Sequence, residues 1–270
     1  MEGVVATIAL RREMLRPWIP AGFHFADGRS RGEHPLQLFV GRQAGVSAYT
    51  LRGLLRMPWW GLEYHEIILA IPDLVTTGRP GIDELGVVTY LPKIYLTSWV
   101  STLLGRGLYG FSKNLMAIER NALGYLATAS RGDPALQVTV NRSPAANGSG
   151  LAGGRAVPDF FAQPIALIGA RRSYAVRLEL SGGHSSAEPV SLKLEAFPPL
   201  LKGLTPLAVN YPNAGAADDC GWMIQSDWTI VRCDADANGP ASSGPLHPTA
   251  GARRSLGSGG AGGSQFKRAG

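Results

Sequence analysis

The chain has 270 residues, 45% of them apolar, with 26 Lys and Arg against 20 Asp and Glu, a net charge of +6 and a pI near 9.5. That length and apolar fraction allow a large core without disulfide staples, and Cys220 and Cys233 have neither zinc-ribbon nor Cys-x-x-Cys spacing. The positive charge is dispersed, with no Lys/Arg cluster interleaved with aromatics, which sets nucleic-acid binding aside. No apolar run approaches the roughly eighteen residues of a membrane helix; together with an N-terminus unlike a signal peptide, this makes a cytoplasmic protein the expectation.

In chain order, the apolar run after Met1 predicts a strand ending near Arg11, and Arg11 to Trp18 a short helix stopped by Pro17 and Pro20. Strands are predicted at Leu36 to Val40 and at Glu66 to Pro72, followed by a Gly/Pro/Asp loop over 72–86. Val87 to Leu96 is β-branched and aromatic but interrupted by Pro92, and is read as a broken strand. From Ser98 to Leu108, apolar residues at 99, 100, 103, 104 and 108 recur at helical spacing and predict a helix whose apolar face leads into Gly105-Arg106-Gly107. Short strands are predicted at Gln137 to Val140, Tyr174 to Leu180, Val190 to Leu194 and Trp228 to Val231.

Many short strands and few helices argue for an α+β domain built mainly on antiparallel sheet. The domain is expected over 1–233. From Asp234 to Gly270 the chain holds nine glycines, five serines and three prolines with one aromatic residue, and a disordered tail is expected there.

The informative segment is Tyr90-Leu91-Pro92-Lys93-Ile94-Tyr95-Leu96, then Gly105-Arg106, then Tyr109-Gly110-Phe111-Ser112-Lys113-Asn114-Leu115. It resembles the acetoacetate decarboxylase-like family, which has a Tyr-Leu strand, a helix ending in Gly-Arg and an aromatic-Pro-Lys-Lys-Leu turn. Tyr64-His65-Glu66 with Ala70-Ile71-Pro72 is similar to the family's Tyr-x-Glu strand, and Leu15 to Pro20 to its Leu-x-x-x-x-Pro helix end. The likeness spans roughly residues 4 to 120, with 72–86 as an insertion. It implies a barrel- or cone-like sheet, homo-oligomer formation, and two catalytic residues: Lys113 as Schiff-base nucleophile and Glu66 as its pocket partner. The implied reaction is decarboxylation of a small keto acid, or a related aldolase or dehydratase step, with no metal or organic cofactor.

The chemistry explains why such a site needs a buried amine. A neutral lysine attacks a ketone to give a protonated imine, which accepts the electrons released when a neighbouring bond breaks. Free lysine titrates near about 10.4, and bringing it to about 7 or 8 takes roughly 4 kcal/mol of differential destabilisation of the ammonium. Against the family pattern, Asn114 stands where a second lysine is found and Ser112 where a proline is found. By this alignment, a second pocket glutamate falls near Val40 or Arg52.

Two other readings stand beside this one. Gly105-Arg106-Gly107-Leu108-Tyr109-Gly110 matches the Gly-x-Gly-x-x-Gly dinucleotide fingerprint, which requires a strand before it and a helix after it. Loss of the second lysine is compatible with a non-catalytic barrel that binds a small ligand. The histidine pair of a zinc protease is not available after His65-Glu66, because the second position is Leu69.

Overall fold

The computed structural model describes residues 1–27, 32–46, 49–50, 55–56, 62–141, 163–168, 173–201, 206–211 and 221–233. The expected tail over 234–270 lies outside them. The elements are β1 (Glu2–Arg11), α1 (Arg12–Leu15) with a 3-10 turn (Arg16–Trp18), β2 (Phe23–Phe25), β3 (Glu33–Val46), β4 (Tyr49–Thr50), β5 (Leu55–Arg56) and β6 (Leu62–Thr76). They continue with β7 (Val88–Leu96), α2 (Trp99–Tyr109), β8 (Lys113–Leu115), β9 (Ala117–Asn121), β10 (Gly124–Thr128) and β11 (Pro134–Asn141). The last are β12 (Ile165–Ile168), β13 (Ser173–Ala196), β14 (Leu207–Tyr211) and β15 (Gly221–Cys233).

The main sheet runs β12-β7-β6-β3-β1-β15-β13-β11-β10-β9, antiparallel except where β7 meets β12 and β8. It curls, so that β12 pairs both with β7 and with the start of β13. As a whole it is open and not a closed barrel: the far half of β13 continues through β11 and β10 into an arm that ends at β9. The expected class, mainly antiparallel with few short helices, is what the chain adopts.

Side chains alternate across this sheet and feed two cores. Val4, Ala6, Ile8, Leu36, Leu38, Ile67 and Leu69 face the arm, where Ile118, Leu136 and Leu194 cover them. Val5, Phe39, Ile94, Leu96, Ile165, Val176 and Ile224 face the opposite way and line the inside of the curl. Room on that inner side is made by Gly3 and Gly41, which pair directly. A Cβ on either would come within 2.6 Å of the Phe39 ring, so the ring lies over backbone that carries no side chains.

Three expectations are corrected. β7 is continuous through Pro92, because Leu69 pairs with Lys93 and Ile71 with Tyr90; Pro92 sits in the resulting bulge, where no ladder donor is needed. β6 likewise runs on past Pro72 to Thr76. A second bulge, with Asp73 at φ 53°, re-aims the strand to pair with β2. The two strands predicted near 174–180 and 190–194 are one strand of 24 residues, bent at a register shift between Ser181 and Ser186.

Candidate active site

Helix α2 is where the sequence misleads most. Ser98 caps it, its hydroxyl accepting from the Ser101 amide at 3.2 Å, and Gly110 ends it in the left-handed conformation at φ 68°. The helix does not bury the apolar face its spacing suggests: Trp99 and Leu103 are 66% and 64% exposed, whereas Ser101, Thr102 and Gly105 are turned inward. Small side chains on that face let the helix approach β8 closely.

What they approach is Lys113. A Cβ built on Gly105 would stand 2.3 Å from Cδ, 2.6 Å from Cε and 3.0 Å from Nζ of Lys113, so the lysine side chain lies along the bare backbone of the helix. Gly105 and Gly107 are in the helix interior and Gly110 is its cap. The glycine pattern is therefore not the strand–turn–helix of a dinucleotide site. Phe111 and Leu115, which continue that pattern at helical spacing, fall in a turn and in β8.

The lysine's backbone is held from the same helix. Arg106 donates from Nε to the Lys113 carbonyl at 2.5 Å and from a terminal nitrogen to Asn114 Oδ1 at 3.0 Å. The Lys113 amide donates to the Phe111 carbonyl at 2.8 Å, and the Ile94 amide donates to the Ser112 carbonyl at 3.0 Å. Successive residues of a strand point to opposite faces. Asn114, where the family pattern has its second lysine, thus faces Arg106 at the surface while Lys113 turns inward.

Across the curl, Glu66 comes from the middle of β6, opposite Gly41 of β3. It is buried at 5% exposure, and its Oε1 accepts from Gln43 Nε2 at 2.5 Å. Gln43 precedes the register shift in β3 and pairs with Tyr64, so the three polar side chains share one face. Lys113, Glu66, Gln43 and Tyr64 line a single cavity of about 60 Å³ whose other walls include Ile94, Phe111 and Val176. On a scale where one water needs about 10–15 Å³, this is room for a few waters, and the cavity is partly open to solvent.

Electrostatics within the cavity follow from the burial of its polar groups. Burial pushes the Lys113 amine below its usual value, and the Glu66 carboxylate opposes this by favouring the ammonium. Burial pushes the Glu66 carboxyl up, opposed by Lys113 and by the hydrogen bond from Gln43. Burial also raises the Tyr64 phenol well above its usual value, reinforced by Glu66. Both shifts at the Lys113–Glu66 pair act in the direction of uncharged groups, the state in which a lysine attacks a carbonyl. The Lys113 ammonium position lies 5.4 Å from the centre of the Phe111 ring.

The two residues singled out from sequence are thus brought to one cavity. Gln43 was not singled out, and nothing in its spacing marks it; its place depends on the β3–β6 register. Gly105 was noticed for a different reason. Arg52 lies outside the described residues.

A curled, mainly antiparallel sheet with few short helices defines the class, a fold of the acetoacetate decarboxylase-like kind that this chain shares with the solved structure of MppR. No family model matches the sequence, and no curated protein is similar to it. Among solved structures, the enduracididine biosynthesis enzyme MppR, complexed with the condensation product of pyruvate and imidazole 4-carboxaldehyde, is 14% identical and has a TM-score of 0.52; the match covers 87% of this chain and 88% of that one. An acetoacetate decarboxylase from Legionella pneumophila subsp. pneumophila matches over 92% of this chain and 85% of its own, at 11% identity and a TM-score of 0.49. An acetoacetate decarboxylase-like enzyme from Sphingomonas wittichii RW1 matches over 91% of both chains, at 14% identity and 0.46. Likeness at this level is likeness of fold.

Proposed function

We propose that the protein is a lysine Schiff-base enzyme of the lyase type, in which Lys113 condenses with the carbonyl group of a small molecule. The observation that carries this reading is that Lys113 and Glu66 line one largely apolar cavity, with the lysine stem along Gly105. Burial there favours the neutral amine. Attack by Nζ on the carbonyl carbon and loss of water give the iminium. Glu66 is the group placed to balance the iminium charge and to take or return a proton at the adjacent carbon. Gln43 orients Glu66 by holding one of its oxygens.

On the sequence resemblance alone, the carbonyl compound is a small keto acid, decarboxylated or carried through an aldol or dehydration step. The fold-mate MppR with a pyruvate condensation product is in keeping with a small carbonyl ligand. The test is reductive trapping. The protein is incubated with acetone, pyruvate and acetoacetate in turn, in the presence of borohydride, and its peptides are weighed. The peptide containing Lys113 should gain the mass of the reduced adduct with at least one compound, and the Lys113→Arg variant should gain none there. A folded protein with no adduct at Lys113 from any carbonyl compound ends this reading.

A further inference from the structure

The strand that carries the lysine is short and paired along one edge. β8 spans Lys113–Leu115 and runs beside β7, with Lys113 opposite Ile94 and Leu115 opposite Leu96. Among the described residues no strand pairs with its other edge. Successive backbone groups of a strand turn to alternate edges, so the Ser112 carbonyl meets β7 at the Ile94 amide and the Lys113 carbonyl faces α2.

One side chain of α2 grips that second edge. Arg106 reaches the Lys113 carbonyl with Nε at 2.5 Å and Asn114 Oδ1 with a terminal nitrogen at 3.0 Å. The Asn114 carboxamide nitrogen in turn donates to the Ser112 carbonyl at 3.3 Å. A planar guanidinium can span two acceptors in this way because its N–H groups form a fixed fork. Gly105 immediately precedes it, so one residue of the helix leaves room for the lysine stem and the next ties down the strand from which the stem starts.

The pair is matched in chemistry. Position 114 must accept a hydrogen bond from a cation, which a carboxamide oxygen does. An ammonium group has donors only and the same charge as Arg106, so the lysine of the family pattern could not take this bond.

Resting on the Schiff-base reading, we propose that Arg106 and Asn114 are positioning residues that clamp β8 to α2 and so set Lys113 Nζ for attack on the carbonyl carbon. Neither touches the reacting atoms. The clamp acts on where the amine stands. The charge that acts on the amine is that of Glu66, so loss of the clamp slows imine formation and leaves the pH midpoint in place.

The experiment uses the full chain with acetone, pyruvate and acetoacetate in turn and cyanoborohydride, across pH and below the melting temperature of each protein. The rate of Lys113 labelling is read by peptide mass spectrometry. Arg106→Leu and Asn114→Leu should each lower the limiting rate at high pH by roughly tenfold or more, as misplacement of a reacting group does, with the midpoint unmoved. The double variant should be no slower than Arg106→Leu, since that change already removes the bond to Asn114. Asn114→Asp, which keeps the acceptor, should hold the wild-type limiting rate, and Asn114→Lys should be as slow as Asn114→Leu. Variants that melt earlier but label at the wild-type limiting rate overturn the clamp and leave the Schiff-base reading standing. So does an Asn114→Lys protein as fast as the wild type or faster, and the position 114 variants decide the matter alone if Arg106→Leu does not fold. A wild type labelled by none of the three compounds overturns both.

Discussion

The side chain of Lys113 lies along the backbone of Gly105, so closely that a single methyl group on the helix would occupy the space of its Cδ and Cε atoms. Position 105 therefore controls the lysine although it carries no functional group. Replacing Gly105 with Ala should make α2 intrinsically more stable, by up to about 1 kcal/mol. It should also push the amine out of line and lower the Lys113 trapping rate at least tenfold. Trapping kinetics set beside thermal unfolding of the variant check this; a faster or unchanged rate would show that the lysine reaches its substrate by another path.

Glu66 and Lys113 shift one another, and the sign can be worked out. The Glu66 carboxylate raises the Lys113 value against a larger lowering by burial. In Glu66→Gln that opposition is gone, so the pH midpoint for amine-dependent trapping should move further down. The measurement is trapping rate against pH for both proteins, with formation of the adduct at saturating borohydride as readout. A midpoint that moves up contradicts the assignment of Glu66 as the neighbouring anion.

The same carboxyl makes folding stability depend on pH. Its folded value lies above the ordinary 4.5 because it is buried, so between those two values the folded state holds the proton that the unfolded state has lost. The contribution is fully present below about 4.5 and is lost as pH rises through the raised folded value. Urea denaturation of the wild type should show this fall, and Glu66→Gln should lack it, the variant gaining relative stability as pH climbs.

Gln43 stands between structure and chemistry. Its carboxamide donates to a buried carboxyl oxygen, and removing a hydrogen bond to a charged or partly charged buried group costs about 1.5–3 kcal/mol. Gln43→Leu should lose stability in that range above the titration of Glu66 and less below it, because the protonated acid depends on the bond less. It should also drive the Glu66 value up, since the bond from Gln43 lowers it. Chemical denaturation at two pH values on either side of the transition measures the difference.

Gly41 tests the inner wall by itself. A Cβ there would come 2.4 Å from the Glu2 carbonyl oxygen and 2.5 Å from the Phe39 ring, and backbone cannot step aside as a flexible side chain can. Gly41→Ala should cost about 1–3 kcal/mol, as overpacking of a fitted core does. A thermal-melt shift below that range would mean that the β1–β3 pair is looser than its register indicates.

Much of the architecture could be read from the chain. Apolar runs mark β1, β3 and β6 as strands because both faces of the sheet are buried, and helical spacing after Ser98 marks α2 because periodicity is a local property. The likeness around Lys113 and Glu66 also picked out the two residues that end in one cavity. Strand ends were read short at Pro72 and Pro92, because whether a proline breaks a strand depends on the partner's register, and bulges absorb both.

Sequence alone determined the kind of chain this is: a strand-rich domain, since residue type and periodicity are properties of neighbouring positions, with Lys113 marked by the family resemblance of the residues around it. Tertiary structure decided everything about the site's environment. Only the pairing of strands far apart in sequence places Gln43 on Glu66, turns Asn114 away from Lys113, brings β12 and β13 round as hydrocarbon walls, and makes α2 expose Trp99 and Leu103 while Gly105 faces in. Burial and the electrostatics that follow from it are sums over such distant contacts, and no local pattern contains them.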